Sequence, residues 1–286
     1  MRTTAILNLK GGVAKTVTVV NMAAILARIH SKRVLVVDAD AQGNTTEFLG
    51  GCEPTRCSFA DLLRGTEVNP AIRESSFAGV DLLPADDSLM DLDLSSVKAR
   101  DVDAACLLKK LRGESYDFVL IDCPPAFNAA AAAALIAADD VVIPIKLDAF
   151  SIRGMANLTR QIRNMKQINP GLRVAGVLPT MWYASDTIKD AERKLRLSEL
   201  KIYPHIRQSK KVDDSTFAQR PLIFSSPRCG ATVDYKRFVA RYLDECGISY
   251  PPVASRQQAL IVARSPRVEM PPLGKGANEE GGESDG

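Results

Sequence analysis

A short apolar run that leads into two glycines and a Lys-Thr pair constrains the fold more than any other feature of this sequence. The run 3–9 is predominantly apolar, and Lys10-Gly11-Gly12-Val13-Ala14-Lys15-Thr16 follows it directly. A strand, glycines and a helix that begins at Lys-Thr predict a loop whose backbone N–H groups turn inward around phosphate. In such a loop Lys15 would reach the β- and γ-phosphates of a nucleotide, and the Thr16 hydroxyl would hold Mg²⁺.

The loop departs from the usual phosphate-binding pattern at two positions. That pattern has glycine directly before the Lys-Thr pair and again five residues earlier, where this chain has Ala14 and Leu9. The sequence matches instead the deviant pattern Lys-Gly-Gly-x-x-Lys-Thr, in which Lys10 is a second lysine that an ordinary loop does not need. We therefore expect the loop from Lys10 to Val17 to bind the nucleotide.

Three aspartates come at the ends of apolar runs that we predict to be neighbouring strands. Asp38 and Asp40 end the run that begins at Arg33, and Asp122 ends the run 118–122. Ligands of open α/β sheets bind at the carboxyl edge of the strands, so these carboxylates should face one site. Residues two apart on a strand point to the same side. Asp122 would hold Mg²⁺ through water there, whereas Asp38 and Asp40 could instead be capping residues at the end of the strand.

Short β-branched runs alternate with longer helical stretches along most of the chain. Predicted strands include 4–9, 33–38, 118–122 and 202–205, and predicted helices include 15–29, 102–112 and 185–197. Alternation of this kind predicts an α/β fold, with a doubly wound, mostly parallel sheet and helices on both faces. We expect residues 1–250 to form this domain. Residues 251–286, rich in proline and glycine and acidic at the end, are expected to be a flexible tail.

Composition excludes several classes of protein. The 286 residues are 46% hydrophobic and 25% charged, and the net charge of +3 is too small to indicate nucleic-acid binding by itself. The six cysteines form no Cys-x-x-Cys pair and only two histidines are present, which disfavours a zinc site and favours reduced thiols in a cytosolic protein. We also expect no signal peptide and no membrane-spanning run.

Three blocks of this sequence together resemble the ParA/MinD family of ATPases. The loop Lys10–Thr16 resembles its deviant Walker A motif. The run 34–46, with Asp38-Ala39-Asp40 and then Gln42-Gly43-Asn44, resembles its second motif, and 118–125 resembles its Walker B strand. The similarity covers roughly residues 1–245. The Gln-Gly-Asn variant is more similar to the ParA (Soj-like) DNA-partitioning branch than to the MinD branch.

The resemblance implies an ATPase that uses ATP and Mg²⁺. It assigns Asp40 to the attacking water and lets Asp38 assist Thr16 and Asp122 at the metal. It also implies a homodimer with two ATP molecules between the subunits. Lys10 of each subunit would cross to the partner's phosphates and act like an arginine finger. Dimerisation would then require ATP, and hydrolysis would end it.

Further positions match the family only in part. The segment 203–207 resembles a loop that closes near the adenine, which assigns Pro204 and Arg207 to the nucleotide, although His205 stands where the family has arginine. The family usually has glycine at Ala14 and threonine at Val17. Alanine is tolerated at position 14 only if its φ is negative or its methyl group has room. We therefore expect these two departures to affect nucleotide binding less than the rate of hydrolysis.

The most basic part of the sequence is the stretch 186–211. Positive side chains at helical spacing favour contact with the phosphate backbone of DNA without base recognition, although a solvated helix face is the ordinary alternative. The candidate DNA-binding residues are Lys189, Arg193, Arg196, Lys210, Lys211 and Arg237. With the ParA resemblance they imply a cytoplasmic, nucleoid-associated protein, a ParB-like DNA-binding activator as partner, and no membrane attachment.

Three functions are therefore open. The first is an ATP-dependent switch that partitions a plasmid, a chromosome or an integrative element. The second is a related ATPase that positions a protein cargo. The third is a metabolic P-loop synthetase of related fold, such as an amidoligase, which would need a substrate pocket and no lysine in trans.

Overall fold

The computed structural model describes residues 1–50, 57–65, 71–92 and 116–248. The helix expected at 102–112 and the tail expected at 251–286 lie outside these residues. Cys52 and Cys106 also lie outside them, and the four described cysteines are free thiols.

The described strands form one seven-stranded sheet with the order β3-β4-β2-β5-β1-β6-β7. Every neighbouring pair is parallel except β3 and β4, which are antiparallel. The strands are β1 (Arg2–Ile6), β2 (Val34–Asp38), β3 (Arg73–Glu74), β4 (Val80–Leu83), β5 (Phe118–Asp122), β6 (Asp140–Lys146) and β7 (Arg173–Thr180). The α/β fold with a mostly parallel sheet is confirmed.

Helices cover both faces of this sheet. They are α1 (Lys15–His30), α2 (Asn44–Phe48), α3 (Phe59–Leu63), α4 (Ala129–Ala137), α5 (Ala149–Met165), α6 (Asp186–Arg196), α7 (Lys210–Phe217), α8 (Leu222–Ser225) and α9 (Gly230–Glu245), with a 3-10 helix at Asp87–Asp91. In the part of the chain that the structure describes, no helix is both long and apolar enough to cross a membrane.

Alternating residues of the central strands enter two separate hydrophobic cores. Leu35 and Val37 of β2 pack in the core that contains the alanines of α4. Val34 and Val36 of the same strand pack in the core formed with α1 and α9. This alternation follows from the two-residue period of a strand, and it explains why β2 and β5 are apolar at nearly every position.

The register of the central strands aligns their carboxyl ends. Asp122 of β5 lies opposite Asp38 of β2 on one side and Ile6 of β1 on the other. The loop that follows β1 and the two aspartate-bearing strand ends are therefore brought to one edge of the sheet. This is the edge at which open α/β sheets bind ligands.

The prediction of a strand at 202–205 is wrong. Ile202 forms only an isolated parallel bridge with Val177, and the Tyr203 N–H donates to the Val177 carbonyl at 2.9 Å. Pro204 has no N–H with which to continue a ladder. The segment instead lies extended beside β7, and its Ile206 N–H reaches the Pro179 carbonyl at 2.8 Å.

Candidate nucleotide site

The loop between β1 and α1 uses two residues with positive φ. Gly12 has φ 68° and Ala14 has φ 64°. Glycine adopts this left-handed conformation freely, whereas an L-residue with a Cβ loses roughly 1–2 kcal/mol there. A negative φ at Ala14 is therefore excluded as the reason that alanine is tolerated. Ala14 is also the N-cap of α1 and provides no side-chain hydrogen bond to it.

Lys15 is the buried cation of this loop. Its Nζ donates to the Lys10 carbonyl at 3.3 Å and so spans the loop. Burial lowers the pKa of Lys15, and the nearby carboxylate of Asp122 opposes that shift. A buried ammonium facing a loop of inward N–H groups is suited to bind an anion.

Asp122 is fully buried at the end of β5 and is only partly satisfied. Its Oδ2 accepts hydrogen bonds from the hydroxyls of Thr16 at 2.6 Å and Thr45 at 2.7 Å. Its Oδ1 is buried and has no hydrogen-bond partner among the described residues. Burial raises the pKa of Asp122 to about 6, although both hydroxyls and Lys15 oppose the rise.

Asp38 lies beside Asp122 and is also fully buried. Its Oδ2 accepts from the N–H and the hydroxyl of Thr46, each at 2.8 Å, and its Oδ1 accepts from the Asp40 N–H at 3.1 Å. Burial and the neighbouring Asp122 carboxylate together raise the pKa of Asp38 to about 7, although the hydrogen bonds from Thr46 and Asp40 oppose the rise. The positive charge of Lys15 only partly compensates these two buried carboxylates, since the pKa of each is still raised.

These residues fit a magnesium ion bound together with a nucleotide. The unpartnered Asp122 Oδ1 and the Thr16 hydroxyl offer hard oxygen atoms at one point. Across the described ranges, no group of three or more His, Cys, Asp or Glu side chains converges to form a metal cage. Mg²⁺ usually takes one or two protein ligands and fills its shell with water and phosphate oxygens.

Asp40 differs from the other two aspartates because it lines the open cleft. Its Oδ1 accepts the Gln42 N–H at 3.2 Å, while its own N–H donates to Asp38. The sheet edge therefore separates one carboxylate that lines the cleft from two that are buried. The three residues are close together, as their positions at strand ends predict.

A cleft of about 440 Å³ extends from the loop. One set of lining residues belongs to the loop and to the start of α1, namely Gly11, Gly12, Ala14, Lys15, Thr16 and Val17. Val13 is buried beneath them and does not line the cleft. The other lining residues include Met181, Arg207, Gln208, Val212, Asp213 and Tyr235. Arg207 is thus placed at the cleft, whereas Pro204 is exposed and is not among the lining residues.

The start of α7 is a part of the cleft that sequence reasoning missed. Ser209, Val212, Asp213 and Thr216 all line it, at the three- and four-residue spacing of one helix face. The Ser209 hydroxyl caps the helix by accepting the Lys211 N–H at 3.3 Å. The sequence signal for the start of this helix is Ser209, because serine is a preferred N-cap residue.

Lys10 is held away from the cleft that its own loop forms. Its Nζ pairs with the Asp148 carboxylate at 2.7 and 2.9 Å. Its N–H donates to the Asn8 side chain at 3.0 Å, and that side chain donates to the Pro144 carbonyl at 2.6 Å. Asp148 was missed in the sequence, although it follows β6 at the same edge of the sheet.

The candidate DNA-binding residues are exposed, and four of them pair with acids one turn away. Lys189 pairs with Asp186 at 3.4 Å, Arg193 with Asp190 at 3.0 Å, Arg196 with Glu192 at 2.7 Å, and Lys211 with Asp214 at 2.9 Å. Lys210 and Arg237 are exposed on α7 and α9. The basic face of α6 therefore has local counter-charges of its own.

The parallel sheet, the glycine loop and the aspartates at the strand ends define an α/β P-loop ATPase. The family model described as an AAA domain matches residues 1–174. The chromosome partitioning protein ParA of Caulobacter vibrioides is 32% identical over 244 residues, which cover 82% of this chain and 91% of that protein. The chain belongs to the ParA family of ATPases.

Two further similarities also cover most of both chains. The sporulation initiation inhibitor protein Soj of Bacillus subtilis is 33% identical over 232 residues, covering 78% of this chain and 91% of that protein. A solved structure of cobyrinic acid a,c-diamide synthase from Mycobacterium smegmatis, with bound ADP and magnesium, has a TM-score of 0.73 and 29% identity. That similarity covers 89% of this chain and 99% of the synthase chain.

Proposed function

We propose that this ParA-family ATPase is an ATP-dependent dimerisation switch that partitions DNA. The observation that supports this proposal is that two lysines of one loop lie in different places. Lys15 is buried in the cleft of its own subunit, whereas Lys10 is 38% exposed and is paired with Asp148 outside that cleft. Because Lys10 does not line the cleft of its own subunit, we infer that it contacts the nucleotide of a second subunit.

Each residue of the site then has a separate role in hydrolysis. Lys15 and the N–H groups of the loop bind and orient the β- and γ-phosphates. Bound Mg²⁺ would be held by Thr16, with Asp122 and Asp38 behind it, and would neutralise phosphate charge. Asp40 accepts a hydrogen bond from the attacking water and orients it. Lys10 of the partner subunit adds positive charge where negative charge develops, as an arginine finger does.

DNA binding would depend on this switch because dimerisation pairs two basic surfaces. Each surface alone offers a few phosphate contacts, but two linked surfaces bind with an enhanced effective concentration. The name of the Caulobacter relative, a chromosome partitioning protein, supports a partitioning function. In this proposal the ATP-bound dimer associates with the nucleoid in the cytoplasm, and a ParB-like DNA-bound protein stimulates hydrolysis and releases it.

Sedimentation velocity with Mg·ATP tests the dimer. The wild-type chain should sediment as a dimer with ATP and as a monomer with ADP. Lys10→Ala should still bind ATP but remain monomeric, and Lys15→Ala should lose both properties. Lys166→Ala, at an exposed lysine, is the matched control and should behave as wild type. A Lys10→Ala protein that dimerises normally contradicts the trans role.

Binding to random-sequence DNA tests the cargo. Affinity should require ATP and fall steeply with salt, because released counterions dominate non-specific binding. ATP-dependent dimerisation without any DNA binding would favour the function in which the cargo is a protein.

The similarity to a named synthase keeps a metabolic function as the second candidate. A synthase of this fold would hydrolyse ATP only with its own small-molecule substrate and would need neither DNA nor Lys10 in trans. Normal ATP binding by a chain that neither dimerises nor binds DNA would favour this alternative.

A further inference from the structure

Among the described residues that line the cleft, Arg207 is the one arginine, and a buried carboxylate holds it in place. Its Nε and one terminal nitrogen donate to the two oxygens of Asp234, at 2.6 and 2.9 Å. The Arg207 N–H donates to the same carboxylate at 3.2 Å. Asp234 is 3% exposed, so one acidic group of α9 fixes both the main chain and the side chain of Arg207.

Gly230, one turn earlier on α9, leaves the space in which Arg207 lies. A Cβ built on Gly230 would come within 2.7 Å of a terminal guanidinium nitrogen and 2.8 Å of Cδ and Nε. These distances are below any normal contact, so a methyl group here must displace the arginine. Since the obstructed atoms belong to a flexible side chain, the backbone can remain where it is.

The pairing also limits what Arg207 can offer to a ligand. Asp234 occupies the forked edge with which a guanidinium usually binds phosphate, and it offsets much of the positive charge. What remains is the planar face, which suits stacking on a nucleobase. In the proposed function the loop residues around Lys15 bind the phosphates, so the nucleoside would occupy the rest of the cleft.

We propose that Asp234 and Gly230 are positioning residues that fix the Arg207 plane against the nucleoside half of the bound nucleotide. This inference rests on the proposed ATP-binding function and adds to it the means by which the base side of the cleft is made rigid. Asp234 itself does not touch the nucleotide. It acts only through Arg207.

Calorimetric titration with Mg·ADP and with Mg·pyrophosphate separates the two halves of the ligand. Asp234→Asn should weaken ADP binding on the order of tenfold, because a charge-assisted pair is lost, and should leave pyrophosphate binding unchanged. Gly230→Ala should weaken ADP binding in the same direction. That variant keeps every charged group but moves Arg207 away from the buried Asp234, so its melting temperature should also fall. Binding is therefore compared at a temperature at which every variant is fully folded.

The controls distinguish positioning from a structural role. Asp244→Asn changes an exposed acid of the same helix and should leave both affinities unchanged. Arg207→Lys retains the charge but not the plane, and it should resemble Asp234→Asn. If Asp234→Asn lowers only the melting temperature while Gly230→Ala binds ADP normally, the inference is wrong.

A parallel loss of pyrophosphate binding would also overturn it, because Arg207 would then act on the phosphates. Failure of the wild-type protein to bind ADP is a different result. It would contradict the proposed function before any variant is compared.

Discussion

The carboxyl edge of the sheet and the exposed face of α6 are both rich in charge, but they are assembled in opposite ways. At the edge, Asp122 is fully buried and accepts hydrogen bonds from Thr16 and Thr45, which are 106 and 77 residues away in the sequence. On α6, Arg193 and Arg196 stay exposed and pair with acids three and four residues away.

This difference sets the energy scale of each region. Exposed pairs one helical turn apart contribute about 0.3–0.5 kcal/mol and are screened by salt. Buried carboxylates that are only partly compensated by a cation are destabilising by several times as much, unless a ligand completes the compensation. Single changes at the edge should therefore have large and specific effects, whereas α6 should respond weakly to each substitution.

The largest expected effect is on turnover in Asp40→Ala. In the proposed mechanism this change removes the side chain that orients the attacking water and leaves the phosphate loop intact, so the rate should fall by roughly 100-fold or more. ATP-dependent dimerisation should persist. Phosphate release and sedimentation on the same samples check both points. Asp213→Ala changes another acid that lines the cleft, and it should retain most activity; equal losses in the two variants would remove the special role of Asp40.

Asp122→Asn should have opposite effects on stability and on function. Removing a buried charge beside Asp38 should stabilise the nucleotide-free protein by about 1–2 kcal/mol. The additional stabilisation by Mg·ATP should largely disappear. Thermal unfolding with and without Mg·ATP measures both quantities.

Asp140→Asn is the control with the opposite sign. Asp140 is equally buried and pairs with Arg2 and, at 2.7 Å, with Arg173. Burial raises its pKa, but the hydrogen bonds from the two arginines together hold the pKa below its usual value. Its neutralisation should destabilise the chain by about 1–3 kcal/mol, because the hydrogen bonds from both arginines are weakened while the arginines themselves stay partly exposed to water. Stabilisation in both variants would show that burial alone decides the sign.

The contrast between local and distant contacts also explains what sequence reasoning could predict. The loop after β1 and the aspartates at the ends of β2 and β5 carry local signals, since each follows an apolar run. Parallel pairing then brings them together without further information. The Lys10–Asp148 pair joins residues 138 apart, and Arg207 meets Asp234 across 27 residues, so neither contact has a sequence signature.

The error at 202–205 has the same origin. Its apolar residues resemble those of a strand, but Pro204 interrupts the ladder, and the extended segment is held by separate bonds to β7. The pattern of burial was predictable there, whereas the hydrogen bonding was not.

Ala14→Gly tests the strained position in the phosphate loop. Glycine relieves the left-handed strain at φ 64°, but it loses roughly 0.5–1 kcal/mol of this gain to chain entropy. We expect a net stabilisation of up to about 1 kcal/mol in chemical denaturation. Ala27→Gly, inside α1, should instead destabilise the chain by about 1 kcal/mol. A loss of stability in both variants would mean that Ala14 is not strained.

Asp148→Asn tests the contact that holds Lys10 in the nucleotide-free chain. The pair is partly exposed, at 38% for the lysine and 29% for the aspartate, so its contribution should not exceed about 1 kcal/mol. Removing this pair from both subunits should strengthen ATP-dependent dimerisation by up to about 30-fold, measured as the dimer dissociation constant, because each of the two pairs contributes up to about 1 kcal/mol. Asp148→Glu keeps the charge and should stay near wild type. Weaker dimerisation in Asp148→Asn would instead indicate that Asp148 aligns Lys10 for the partner.

The smallest effect is expected on α6, where the acids limit the positive field of their neighbours. Asp190→Asn frees Arg193 from its 3.0 Å pair, at a loss of about 0.3–0.5 kcal/mol of helix stability. If α6 contacts DNA phosphates, Asp190→Asn should strengthen ATP-dependent binding to random DNA, and Arg193→Ala should weaken it and lower the slope of log affinity against log salt by about one. Filter binding at several salt concentrations measures both changes. Identical salt slopes in the two variants and in wild type would place the DNA contacts elsewhere. The basic residues of α6 would then belong to a solvated helix face, where ion pairs within the helix explain their presence.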